Sequence, residues 1–128
     1  MSEAQKTILI ADDDLEILRI LRRHLETDYR VLEAHNGSEA LELAESHQPA
    51  CVVLDVMMPE RNGWEVARQL RQDKRFDGVG ILMLTAIGES LNEMTSPLYG
   101  ADDQVDKPFD LDTVSDRIRH IIAQRQSG

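Results

Sequence analysis

The sequence predicts an α/β fold in which a five-stranded parallel sheet lies between two layers of helices. Three observations predict it. Short, fully apolar runs recur along the chain, among them Ile8-Leu9-Ile10-Ala11, Cys51-Val52-Val53-Leu54 and Ile81-Leu82-Met83-Leu84. Runs of this kind suit strands buried on both faces. Between them lie stretches whose apolar residues keep helical spacing, and the two kinds of segment alternate throughout, which is the pattern of a parallel sheet with crossover helices. Right-handed crossovers leave few topologies, and the compact one is the flavodoxin-like (βα)5 three-layer sandwich with strand order 2-1-3-4-5.

The first strand, at Ile8 to Ala11, leads into a helix over roughly 14 to 27, with Leu18, Leu21 and Leu25 on one stripe and Arg19, Arg22, Arg23 and Glu26 off it. Tyr29 to Ala34 reads as the second strand. Asn36-Gly37-Ser38 then opens a helix carrying Ala40, Leu41 and Ala44, which stops before Pro49. After the third strand, Asn62-Gly63 leads into a helix with Val66, Ala67 and Leu70 on its inner face. The fourth strand is followed by a weaker helix near 89 to 96. Pro97 would cost a helix interior about 3 kcal/mol, so the last turn there should be short or irregular. A brief strand near Gln104 to Asp106 precedes the clearest helix, where Leu111, Val114, Ile118, Ile121 and Ile122 keep near-ideal spacing.

A chain of 128 residues, 41% hydrophobic and 30% charged, is long enough to bury one core. The reading is therefore a single domain over 1–128 with its core at about 6–124. Cys51 is the lone cysteine, so no internal disulfide is possible, which agrees with a reducing compartment. No signal-peptide pattern follows Met1, and no apolar run reaches membrane-spanning length. The cytoplasm is the expected location. The net charge of −10 argues against direct binding of nucleic acid or of an anionic membrane surface.

In this topology ligands sit beyond the carboxyl ends of the central strands. Strand one runs into Asp12-Asp13-Asp14, strand three ends in Asp55, strand four in Thr85, and strand five reaches Lys107 after one intervening residue. Each residue has a local explanation: a helix N-cap among the first aspartates, a turn at Asp55, a β-branched strand end at Thr85, a solvated lysine. Their joint placement at the mouth of adjacent strands is what points to a site. Two carboxylates about 4 Å apart repel by roughly 4 kcal/mol at an effective dielectric near 20, so a cluster of Asp12, Asp13 and Asp55 must hold a proton or a cation. Hard oxygen ligands suit Mg2+, which keeps waters that a phosphoryl oxygen can replace. Lys107 would supply a second cation, Thr85 a hydrogen-bond donor, and Asp55 a carboxylate nucleophile that forms an acyl phosphate.

These residues, in this order, resemble the receiver domain of two-component response regulators, the CheY-like family. The pieces that match are Ile8-Leu9-Ile10-Ala11-Asp12-Asp13-Asp14, Val52-Val53-Leu54-Asp55-Val56-Met57-Met58-Pro59 with Asn62-Gly63, Leu84-Thr85-Ala86, Gly100-Ala101-Asp102-Asp103 and Asp106-Lys107-Pro108-Phe109. The resemblance implies that Asp55 is the phosphoacceptor, served by a phosphohistidine on a sensor histidine kinase or phosphotransfer protein. It implies that Asp13, Asp55 and the Met57 main-chain carbonyl bind the metal, with Asp12 acting through water. It also implies that Lys107 pairs with the phosphoryl group, that Thr85 moves toward it in the active state, and that the Lys107-Pro108 bond is cis. Small Ala86 would leave the site open to its donor, Met57 and Ile87 lie where phosphoryl lifetimes are tuned, and a downstream effector protein or domain would read the result.

The chain departs from the family pattern at two places. Gln104 stands three positions before the lysine, where the family often has an aromatic residue whose rotamer follows the threonine, and Pro97 disturbs the fourth helix. The expectation is retained chemistry with a nonstandard output face. Two other readings compete. One is a pseudo-receiver that binds partners without phosphorylation, against which the intact Asp12, Asp13, Asp55, Thr85 and Lys107 set speaks. The other is a flavodoxin-like or phosphatase-like enzyme, disfavoured because no Gly-rich phosphate loop follows the first strand.

Overall fold

The computed structural model describes residues 5–58, 62–85 and 100–127. Within them five parallel strands form one sheet in the order β2-β1-β3-β4-β5, as expected. The strands are β1 Thr7–Ala11, β2 Arg30–Ala34, β3 Cys51–Asp55, β4 Gly80–Thr85 and β5 Asp103–Asp106. The helices among the described residues are α1 Leu15–Leu25, α2 Gly37–His47, α3 Gly63–Gln72 and α4 Leu111–Ser127, with a 3-10 turn at Lys74–Phe76. The helix expected near 89 to 96, with Pro97, Ala86 and Ile87, lies outside the described residues.

The pleat sorts the apolar runs onto two faces. Leu9, Val52, Leu54, Ile81 and Met83 join one core cluster, together with Ala40 and Ala44 of α2 and Val66, Ala67 and Leu70 of α3. Their neighbours Ile8, Ile10, Val53, Leu82 and Leu84 join the opposite cluster with Leu18, Leu21 and Leu25 of α1 and Val114, Ile118, Ile121 and Ile122 of α4. This explains why the strands read as unbroken apolar runs: each buries both faces, and every fully buried aliphatic side chain contributes about 1.5–3 kcal/mol. The central strands β3 and β4 are buried from end to end. Among the described residues no helix is long and apolar enough to cross a membrane.

Caps set where three helices begin. Asp14 accepts from the backbone N–H groups of Glu16 and Ile17, Asn36 from that of Glu39, and Asn62 forms a reciprocal capping box with Glu65. The caps at Asp14 and Asn36 lie three and two residues beyond the ends of β1 at Ala11 and β2 at Ala34, which keeps those loops short. Gly63 is drawn close against the end of β3. Its N–H donates to the Val56 carbonyl at 2.9 Å, and a Cβ at this position would overlap the Asp55 carbonyl oxygen. Gly63→Ala should therefore destabilise the protein by about 2 kcal/mol, seen as a lower urea midpoint at unchanged slope, and push the end of β3 out of place.

Candidate functional site

The carboxyl ends of β1, β3, β4 and β5 bring the predicted residues together. Asp12 directly follows β1, Asp55 closes β3, and Thr85 closes β4; all three are buried, whereas Asp13 is exposed. Asp12, Asp13 and Asp55 each offer a carboxylate oxygen within 4.8 Å of the others. Lys107 Nζ donates to Asp55 Oδ1 at 2.7 Å and to Asp12 Oδ2 at 3.4 Å. Asp12 Oδ1 also accepts from the Asp14 N–H at 2.9 Å, so both of its oxygens have protein partners. Met57 stands two residues beyond Asp55 with an exposed side chain, while Val56 before it is pinned by bonds to Leu84 and Gly63.

The strand carrying Lys107 ends at Asp106, where the span expected near Gln104 to Asp106 ends, but the single intervening residue expected before Lys107 is absent. No residue intervenes: β5 runs on through Asp106, and Lys107 follows it at once. Asp106 stays in the ladder because it is the register partner of Thr85, and the Lys107 N–H then donates to the Thr85 carbonyl at 2.6 Å. The Lys107-Pro108 peptide is cis, as the resemblance implied.

The electrostatics follow from this crowding. Burial pushes the Asp55 carboxyl up to about 6; the Lys107 hydrogen bond pulls it down and the Asp12 charge pushes it further up. Asp12 is raised for the same leading reason, against the Asp14 N–H and Lys107. For Lys107 burial favours the neutral amine, but the Asp55 hydrogen bond and the two carboxylate charges together outweigh burial and hold its pKa above the ordinary value. When all three carboxylates ionise, one ammonium leaves two negative charges uncompensated, which is the charge of one divalent ion. The all-oxygen donor set fits Mg2+, which takes one or two carboxylates and keeps several waters.

Thr85 is in the predicted place but not aimed at Asp55. Its hydroxyl donates to Asp106 Oδ1 at 2.7 Å. In the sequence Asp106 stands out only as a strand end and as part of the piece that carries Lys107; its contact with Thr85 depends on the β4–β5 register. A second constellation was also invisible in the sequence. Arg71 donates to Asp102 Oδ2 at 2.9 Å and to the carbonyls of Gly100 and Phe76. Arg125 reaches the same carboxylate and the Asp77 carbonyl, and the Ile81 N–H donates to Asp102 at 2.8 Å. Burial and the neighbouring Arg125 charge lower the Arg71 pKa, against Asp102. Gly100, at φ 75°, belongs to the same junction, since a Cβ there would run into the Arg71 stem. Arg125 is therefore a structural tie between α4, the start of β4 and the turn after the 3-10 segment. Burial pushes the Cys51 thiol up to about 12, so it packs as an inert apolar group.

Comparison with known proteins agrees with this geometry. A profile described as the response regulator receiver domain matches residues 8–119. The transcriptional regulatory protein SrrA of Staphylococcus aureus is 42% identical over 121 residues, covering 94% of this chain and 49% of that protein. The chain thus spans about half the length of the curated relatives it matches. Among solved structures, the receiver domain of the Francisella response regulator 1452 superposes with a TM-score of 0.83 at 26% identity, covering 94% of this chain and 98% of that one. The chemotaxis protein CheY4 of Vibrio cholerae gives 0.83 at 27% identity, over 92% and 99% of the two chains.

Proposed function

We infer the chemistry from one premise: this chain belongs to the response regulator receiver domain family. We propose that it is one receiver domain over 1–128, that Asp55 is the phosphoacceptor, and that the reaction depends on Mg2+ held by Asp13, Asp55 and the Met57 carbonyl, with Asp12 acting through water. The observation that carries the reading is the packing of Asp12, Asp13 and Asp55 carboxylate oxygens within 4.8 Å of one another, with an ammonium only 2.7 Å from Asp55. Surplus negative charge at a strand mouth calls for a divalent cation, and such a cation together with the lysine poised on the acceptor would suit the transfer of an anionic group better than any packing role.

In the proposed step a carboxylate oxygen of Asp55 attacks the phosphorus of a phosphohistidine. The new P–O bond forms as the P–N bond breaks, and the electron pair leaves with the imidazole nitrogen, which takes up a proton. Lys107 moves with the charge from the carboxylate to the phosphoryl oxygens, and Thr85 donates to one of them after its hydroxyl turns. Bound Mg2+ would offset the charge that gathers between acceptor and phosphoryl group. Water later hydrolyses the acyl phosphate and restores Asp55. In this reading the domain catalyses only its own phosphorylation and dephosphorylation.

The partners proposed are a sensor histidine kinase or phosphotransfer protein as donor and an effector protein or domain as reader, in the cytoplasm. Gln104 supports a nonstandard output. Among the described residues its buried Oε1 has no hydrogen-bond partner, so β5 carries an unsatisfied polar group where the family often has a ring.

The test is incubation with acetyl phosphate and Mg2+ followed by intact mass measurement. One phosphoryl group should add to the wild type, none to Asp55→Asn, and none when the metal is chelated. Uptake by Asp55→Asn would refute the assignment. Magnesium affinity, read by titration calorimetry, should fall about tenfold for each unit of pH below the Asp55 value of about 6, because the ligand must be ionised.

A further inference from the structure

The Thr85 side chain has one proton to donate, and the fold places two acceptors on either side of it. Asp55 closes the neighbouring strand β3, and its register partner on β4 is Leu84. Asp106 lies on the other neighbour, β5, and is paired directly with Thr85. Register partners in a parallel sheet point to the same face, so Asp106 is the acceptor that Thr85 meets without any movement. The bond is made at 2.7 Å.

Three features make this contact hard to give up. The acceptor is a carboxylate, which binds a hydroxyl more strongly than a neutral oxygen does. Thr85 is fully buried, so its hydroxyl cannot turn to bulk water on the way. Its backbone is held on both sides, by Val56 N–H on the Leu84 carbonyl at 3.1 Å and Lys107 N–H on the Thr85 carbonyl at 2.6 Å. Redirecting the hydroxyl is therefore a rotation of a β-branched side chain between staggered rotamers.

We propose that Asp106 is a positioning residue: it holds the Thr85 hydroxyl away from Asp55, and so sets how readily the phosphorylated state is stabilised. This rests on the reading of Asp55 as phosphoacceptor. A phosphoryl group on Asp55 recruits Thr85 only by taking its proton from the Asp106 carboxylate. The link between acceptor and threonine is weaker here than it would be with an apolar residue at 106.

Beryllofluoride, a mimic of the phosphoryl group, provides the probe, with its affinity measured by fluorine NMR in the presence of Mg2+. Asp106→Val should tighten binding about tenfold, the lower end expected for releasing a donor from a charged acceptor. In a Thr85→Ala background the same substitution should change affinity by less than about twofold, since the proton in question is gone. Three-bond couplings of the Thr85 methyl should also report a changed side-chain rotamer in Asp106→Val without ligand. If Asp106→Val fails to fold, Asp106→Asn carries the test with a smaller shift of about threefold.

An affinity left unchanged by the substitution while Thr85 is intact overturns the proposal. Equal tightening in the Thr85→Ala background also overturns it, because the Asp106 charge would then act on the ligand directly. A wild type that takes up no beryllofluoride, behaving as Asp55→Asn does, overturns the phosphoacceptor reading itself and the positioning role with it.

Discussion

Asp55→Asn should be more stable than the wild type by about 2 kcal/mol in metal-free buffer near pH 8, and the advantage should vanish near pH 4. The sign follows from the raised carboxyl. The folded state binds the Asp55 proton more tightly than the unfolded chain does, with a value of about 6 against an ordinary 3.8. Between these values the native protein holds a proton that the unfolded chain has shed. Stability therefore declines as pH rises through that window and stays low above it. Asparagine carries no such proton, so its profile lacks the decline, while its amide oxygen still accepts from Lys107. The gap between the two values, which already includes the Lys107 attraction, is worth roughly 3 kcal/mol, and solvent screening trims the gain to about 2 kcal/mol. Added Mg2+ should narrow the difference, because only the wild type presents all three carboxylates to it. Urea midpoints at the two pH values, with and without metal, provide the check. A variant less stable than the wild type at high pH would mean that the Lys107 attraction outweighs the crowding of Asp12, Asp13 and Asp55.

The largest loss of stability is expected at the opposite end of the sheet. Asp102→Ala should cost about 3–5 kcal/mol, as for a largely buried ion pair deprived of one member. The carboxylate serves two guanidinium groups and the Ile81 N–H, and its side chain is only 17% exposed. Removing it leaves Arg71, 15% exposed, beside Arg125 with no anion between them. Asp102→Asn keeps an acceptor for Ile81 and should lose less. Thermal unfolding measures both. A loss below about 0.5 kcal/mol for the alanine variant would place this network among ordinary surface pairs. Because the cluster adjoins the start of β4 and the acidic site its end, the alanine variant should still take up a phosphoryl group at a temperature where it is folded.

The two sites differ in how far the sequence foretold them, and the difference is physical. Strand and helix identity depend on residues a few positions apart. The runs at Ile8, Cys51 and Ile81 and the stripe from Leu111 to Ile122 therefore announced their elements, as did the caps at Asn36 and Asn62. The acidic site was legible by one further step. A parallel sheet with this alternation puts all its strand ends on one side, so Asp12, Asp55, Thr85 and Lys107 had to share a mouth although Lys107 and Asp12 are 95 positions apart.

Pairwise geometry was not legible in the same way. That Thr85 gives its proton to Asp106 depends on the register of β4 against β5, which no local pattern encodes. That Asp102 gathers Arg71 and Arg125 depends on α3 and α4 lying over opposite faces and meeting past the start of β4. The pKa of Asp55 likewise arises from burial among neighbours that only the packed molecule supplies. From the sequence alone came the elements, their order and the side of the sheet where carboxylates would meet. The packed structure alone decided which acceptor each donor chose, because hydrogen bonds are settled over tenths of an ångström between segments far apart in the chain.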